Sequence, residues 1–378
     1  MSLGNRLYAE LRGDKVIWAI LALLSIISVL LVYSSTEALA YSKQGGNTEF
    51  YLFKHIIILS FGLLITYACF LLNYKKYQIA APYLLLCSIP LLLYTLFAGV
   101  DINEARRWIE VPFIGITFQS SDFAELALVI FVAREITKKQ DDIKDFQSAF
   151  VPILTAVIVI CGLIAPADLS TAAVLFLTCI LMMFMGRVPV QFILTLLFSG
   201  IVVFALIYML GDVYPDVFGR TSTWIKRLDE FRLVEEPYQV QQAKIAIANG
   251  EYFGLGPGNS IQRHVLPQAY SDFIYAIILE EYGLVGGFFV MFLYLLLFVR
   301  VAKLITKSSK TFGAMLAMGI SSMLVIQALM NMAVAVDLIP VTGLTLPMIS
   351  LGGTSLLFTC VAFGIILSVS KYVERQET

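Results

Sequence analysis

The chain has 378 residues, of which 59% are apolar and only 14% charged, and its net charge is −1. Soluble domains carry about 25% charged residues, so this composition would overfill a water-facing fold and implies lipid as the solvent for most of the chain. The near-zero charge excludes a general polyanion binder, nucleic acid included.

The first apolar run, Val16 to Ser34, follows Arg6, Arg12 and Lys15. It is too long for a signal peptide and no small-residue cleavage site follows, so it reads as a first span that stays. A spanning helix needs about 20 apolar residues to cross about 30 Å of hydrocarbon. Segments near 16–34, 53–73, 78–98, 119–136, 148–165, 169–185, 190–210, 272–299, 313–335 and 348–370 fit, which predicts an all-α polytopic membrane protein of about ten helices. The fourth segment opens on polar Ser120, Ser121 and Asp122. Cys69, Cys87, Cys161, Cys179 and Cys360 are scattered through apolar stretches, a pattern of packing residues rather than a disulfide framework or zinc site.

Lys and Arg placement sets the orientation. Sixteen of the 26 fall in the N-terminal segment, the C-terminal segment and the connections that share their side, against four (Lys43, Lys54, Arg106, Arg107) in the short segments on the other. Both termini are therefore expected in the cytoplasm, with an even number of spans. The other six lie in a long extracytoplasmic segment, 211–271, between spans seven and eight. A connection of that length is commonly functional. Within it, Pro237 to Asn249 predicts a helix with Val240, Ala243 and Ile247 on one face and Asn249-Gly250 as its stop; such a helix is expected to lie in the membrane interface, apolar face down. The whole chain reads as one transmembrane domain, with the rim of the active site on 211–271. No internal repeat supports a transporter built from inverted halves.

Ionisable groups at the rim of a span cost about 2.5–3.5 kcal/mol each on insertion scales and need a reason. On the extracytoplasmic side Lys54, His55, Arg106, Arg107, Asp122, Glu125, Asp168, Asp272, Glu280, Glu281 and Asp337 accumulate, which suggests a polar cavity opening to that face. The run Gly254-Leu255-Gly256-Pro257-Gly258-Asn259-Ser260-Ile261-Gln262 can expose backbone N–H groups to an anion or form a plain flexible turn. No Gly-Lys-Ser/Thr follows, so it is not a nucleotide loop. Asp272 begins the eighth span, where a carboxylate serves either as a helix cap or, partly desolvated, as a general base.

These blocks, with Leu266-Pro267, Glu281-Tyr282-Gly283-Leu284, Pro340-Val341-Thr342-Gly343, Leu346-Pro347 and Ser350-Leu351-Gly352-Gly353-Thr354-Ser355, resemble the SEDS family of shape, elongation, division and sporulation proteins. Arg106-Arg107-Trp108-Ile109 and Gln119-Ser120-Ser121-Asp122 match the same family's earlier blocks, and the likeness runs in order over nearly the whole chain. The Gly258-Asn259-Ser260 and Gly343-Leu344-Thr345-Leu346-Pro347 variants are more like its division branch than its elongation branch.

The resemblance implies polymerisation of lipid II, the undecaprenyl-pyrophosphate disaccharide-pentapeptide, into glycan strands on the outer face of the bacterial plasma membrane. It places the catalytic base on Asp272 and a substrate role on Arg106, Arg107, Gln119, Asp122, Asp168, Gly256, Asn259 and Gln262. Cations near a pyrophosphate also answer a physical need. No tightly bound cofactor is expected; the resemblance implies a divalent cation, Mg or Mn, for which the sequence shows no dedicated cage. It also implies a class B penicillin-binding transpeptidase and other division membrane proteins as partners. One departure stands out: Glu125 replaces the family's Lys, leaving Asp122 and Glu125 as like charges at i, i+3. A lipid II flippase, an ion-coupled transporter and a non-catalytic division scaffold are the rival functions.

Overall fold

The structure is a computed structural model; it describes residues 13–37, 39, 47–102, 105–111, 116–213, 237–307 and 312–374, together with Trp224, Arg227, Asp229 and Phe231. The part of 211–271 that would show how the long segment leaves span seven therefore lies outside the described residues.

The ten expected segments are all helical: α1 (Lys15–Ser35), α2 (Thr48–Leu71), α3 (Lys75–Ala98), α4 (Ser120–Lys138), α5 (Val151–Ile164, entered through a π turn at Phe146–Phe150), α6 (Leu169–Met185), α7 (Val190–Val213), then α9 (Ile274–Lys307), α10 (Phe312–Ala335) and α11 (Gly353–Glu374). Between α7 and α9 lies α8 (Tyr238–Gly250). Among the described residues, seven helical segments are long and apolar enough to cross a membrane, and Leu169–Met185 and Val190–Leu206 are further apolar stretches. The fold is that of an all-α polytopic membrane protein. α10 is central, packing against α4, α6, α9 and α11, and α2 lies along α11. That last pair approaches closely because the contact is built from small residues: a Cβ on Gly62 would come within 2.6 Å of Cys360 Sγ. There the Thr66 hydroxyl donates to the Cys360 carbonyl at 2.9 Å, which lets two helices bind without a water-driven hydrophobic term. Leu194, Phe198 and Ile201 of α7 and Phe288, Phe292 and Val299 of α9 stay exposed, as side chains facing lipid do.

Three features depart from the expectation. First, the segment around 99–118 forms a small antiparallel sheet, β1 (Val100–Ile102), β2 (Ala105–Val111) and β3 (Ile116–Gln119), with Trp108 opposite Gln119 and Ile109 opposite Phe118. Second, the apolar face of α8 (Val240, Ala243, Ala246) does not lie on a bilayer: α8 packs against α9, where Gly250 leaves no room for a Cβ beside the Leu279 carbonyl. Third, the eighth and tenth segments are shorter than expected at their starts, because α9 is interrupted at Gly283 and α11 begins only at Gly353.

The interruption of α9 is a reversal. Thirty-four residues of straight helix would run about 51 Å, well beyond the hydrocarbon thickness. Gly283 has φ +66° and ψ −170°, outside the helical region. A Cβ on Gly287 would lie 2.3 Å from Leu279 Cδ2 and 3.1 Å from Tyr275 Oη. In a straight helix those residues are about 12 and 18 Å away along the axis. Residues 274–282 are therefore a half-helix folded back beside the span that starts at Leu284. Depth markers along α1 agree. Asp14 at its start pairs with Arg300 at 2.6 Å; Ser34 near its end donates to Glu281; and Ser28, between them, donates at 3.1 Å to the carbonyl of Ile349, whose neighbour Ser350 bonds Ser271. Taking the finishing end of α1 as the upper end, the half-helix rises from Asp272 to Gly283 and the span then descends to Arg300.

Candidate functional site

Two stretches of irregular backbone dip into the bundle from its upper end, 251–273 and 336–352. Non-helical backbone at membrane depth needs partners, since lipid offers none. Here the two stretches satisfy each other. Leu351 N donates to the Tyr270 carbonyl at 2.9 Å, the Ser350 hydroxyl to the Ser271 carbonyl at 2.7 Å, and Asn331 Nδ2 on α10 to the Asp272 carbonyl at 2.8 Å. Asp272 thus stands at the foot of the half-helix, outside the spanning helices. The Ser271 hydroxyl donates to its Oδ1 at 2.8 Å, and its Oδ2 would lie 3.6 Å from a Cβ on Gly343. Burial pushes the carboxyl above its ordinary value; the Ser271 hydroxyl and the Arg107 guanidinium pull it down, Asp168 pushes it up, and Arg227 pulls it down. A carboxylate with raised basicity beside cations is what proton abstraction near a developing negative charge requires.

Asp168 caps the start of α6 by accepting from Thr171 N at 3.2 Å. Arg107 reaches it from β2 at 2.9 Å and also donates from Nε to the Ala167 carbonyl at 3.1 Å, so the sheet is locked to the α5–α6 turn. Gln119, at the end of β3, donates to the Ser121 hydroxyl at 2.9 Å, and Thr95 donates to Ser120 at 2.7 Å. A pocket lined by Thr95, Arg107, Ser120, Ser121, Ala167 and Asp168 lies between these elements. Asp122 faces the Ser355 hydroxyl on α11, and one of its carboxylate oxygens is buried without a hydrogen-bond partner. Asp122, Glu125 and Asp168 are near enough to act on one another electrostatically. Among the described residues, Arg107 joins this acidic group by pairing with Asp168. Arg106 lies in β2, but its side chain is outside the described residues. Replacing Arg107 by Ala is expected to cost about 3–5 kcal/mol by stranding a buried Asp168. Arg107→Lys should recover little of that, since a point charge cannot hold the carboxylate and the Ala167 carbonyl together. Thermal unfolding of the purified variants in detergent reads both.

The structure brings Arg107, Gln119, Asp122, Asp168 and Asp272 to one region. Gly256, Asn259 and Gln262 lie elsewhere, at the upper end of the half-helix. The glycine run does turn N–H groups toward anions, but these are the protein's own carboxylates. Gly258 and Ser260 donate to Glu281, while Ile261 and Gln262 donate to Glu280, which also accepts from the Ser260 hydroxyl and Asn249. Asn259 bonds its own loop at the Leu255 carbonyl, 3.0 Å. Asp337 pairs with Lys244 of α8 at 2.6 Å, and Arg263 pairs with Glu37 beyond α1 at 2.6 Å. Sequence reasoning missed Arg227, which donates to the Val341 carbonyl at 3.2 Å and acts on Asp272. Asn331 was also missed; an amide within an apolar span was the available signal. Among the described residues, no three or more His, Cys, Asp or Glu side chains are grouped to hold a metal ion.

Fold and site together define a multi-pass membrane protein with a buried carboxylate in electrostatic reach of two guanidinium groups. The chain belongs to the FtsW/RodA/SpoVE family, described as "Cell cycle protein", whose profile it matches over residues 14–375. It is 32% identical over 370 residues to the probable peptidoglycan glycosyltransferase FtsW of Aromatoleum aromaticum, covering 95% of this chain and 88% of that one. It is also 32% identical over 369 residues to the probable peptidoglycan glycosyltransferase FtsW of Bacillus subtilis, covering 94% and 90%. Among solved structures it resembles a chain of a peptidoglycan synthase complex studied for coordination of polymerization and crosslinking (TM-score 0.76, 22% identity, 96% of this chain and 98% of that one). The Thermus thermophilus rod shape determining protein RodA is similar as well (TM-score 0.68, 22% identity, 95% and 96%).

Proposed function

We propose that this chain is a peptidoglycan glycosyltransferase that polymerises lipid II on the outer face of the bacterial plasma membrane during cell division, with both termini in the cytoplasm. The observation that carries the reading is Asp272: a buried carboxylate of raised basicity, in electrostatic reach of Arg107 and Arg227, fixed where two irregular segments meet inside the bundle. In this reading Asp272 takes the proton from the acceptor sugar's 4-hydroxyl as that oxygen attacks the donor's anomeric carbon. The carbon–oxygen bond to the pyrophosphate breaks and undecaprenyl pyrophosphate leaves with its negative charge, which Arg107 and Arg227 stabilise. Both family and relatives support the activity, and the likeness to a synthase-complex chain supports a crosslinking partner, a class B penicillin-binding transpeptidase, with further division membrane proteins beside it.

The test uses purified chain, with and without such a transpeptidase, and fluorescent lipid II in detergent and in vesicles. Glycan product from the native chain that disappears in Asp272→Ala, with both proteins folded alike, is the expected result. Transfer of lipid II between leaflets that survives the substitution, with no polymer from the native chain, would mark a flippase instead.

A further inference from the structure

Residue 272 lies in backbone that belongs to no helix, so nothing regular fixes where its carboxylate points. Two side chains supply the missing constraint, and each holds both dipping segments at once. Asn331 Nδ2 donates to the Asp272 carbonyl at 2.8 Å and to the Leu344 carbonyl at 2.7 Å. Ser350 donates to the Ser271 carbonyl at 2.7 Å and accepts from Leu346 N at 2.8 Å. Both residues are buried, and Asn331 stands on α10, the most enclosed helix of the bundle.

We propose that Asn331 and Ser350 are positioning residues for Asp272, forming a double clamp that fixes the carboxylate against the 341–351 segment and toward Arg107 and Arg227. Neither side chain touches the reacting atoms; each acts through the backbone of 271–272. Gly343, beside the carboxylate, is carried by the same segment, so base and facing wall move as one piece. This inference rests on the proposed role of Asp272 as the base. Misplacing a catalytic group by about 1 Å costs on the order of 10²-fold in rate.

Steady-state polymerisation of lipid II by the full-length chain with its transpeptidase tests the clamp. Ser350→Ala and Asn331→Ala should each lower kcat about 10²-fold with KM within twofold of native, and Ser350→Thr, which keeps the hydroxyl, should restore most of it. The acid limb of the rate profile should also move, because the carboxylate changes its distance to the two guanidinium groups. Combined with Asp272→Asn, neither substitution should reduce the residual rate further. If Asn331→Ala does not fold, Ser350→Ala carries the test alone, since it removes a single hydroxyl. Native kcat in the clamp variants, a loss confined to KM, or a loss that tracks the folded fraction would overturn the proposal. Native rates in Asp272→Asn itself would instead overturn the catalytic reading on which it rests.

Discussion

Asp272→Asn is expected to lose polymer synthesis by about 10²–10⁴-fold in kcat, the usual worth of a general base, while melting no lower than the native chain at neutral pH. The two halves of that result have one cause. Burial raises the carboxyl's affinity for its proton in the folded state, so ionising it works against folding. The sign follows from linkage: with the folded value above the unfolded one, this group's contribution favours the fold at low pH and is lost as pH rises through the folded value. A neutral amide of the same shape removes that burden and removes the base with it. Activity in the native chain should fall as pH is lowered, with an inflection above the ordinary carboxylate range. Measuring kcat across pH, with melting temperature in parallel, checks both. An Asn variant that is less stable and equally active would contradict the assignment.

The second large effect is structural. Gly283→Ala is expected to destabilise the fold by on the order of 4 kcal/mol, enough to deplete the monodisperse fraction in detergent. Gly283 sits at φ +66°, and an added Cβ would meet the Tyr252 carbonyl oxygen at 2.3 Å. That neighbour is backbone and cannot swing away. It is held by a reciprocal set of hydrogen bonds: Leu255 N to the Glu280 carbonyl, Gly256 N to Glu281, Leu284 N to Glu251 and Val285 N to Tyr252. Those bonds take up groups that the break in α9 would otherwise strand. Gly254→Ala should behave the same way, with its Cβ 2.2 Å from the Glu281 carbonyl oxygen. Gly258→Ala is the control. Its φ is also positive, at +76°, but nothing lies within 4 Å of the new Cβ, so only the backbone cost of about 1–2 kcal/mol remains. Size-exclusion profiles and thermal melts of the three variants separate the two cases.

Much of this was legible in the chain itself. The ten helices follow from apolar length alone, and the motif blocks single out Arg107, Asp122, Asp168 and Asp272, which the fold does gather. The reversal at Gly283 was hidden because Gly283, Gly286 and Gly287 are each tolerated in an unbroken helix, and nothing in the chain singles out Gly283, which closes on the Tyr252 carbonyl, as the break. The sheet was hidden because its strands are three, seven and four residues long, too short for alternation to declare itself. The glycine run shows that N–H groups are free to turn, but not that Glu280 and Glu281 are the acceptors they find. The Asn331 and Ser350 bonds end on main-chain carbonyls 59 and 79 residues away, and a contact with backbone leaves no signature at the partner position.

The half-helix of nine residues lowers Asp272 roughly 13 Å beneath the turn at Gly283. An amphiphile anchored by a long hydrocarbon tail carries its phosphates at the surface of the leaflet, and lifting them clear would drag chain methylenes into water at about 0.8 kcal/mol apiece. With Asp272 as the proposed base, a carboxylate set below the rim would let such a substrate react while its tail stays in oil.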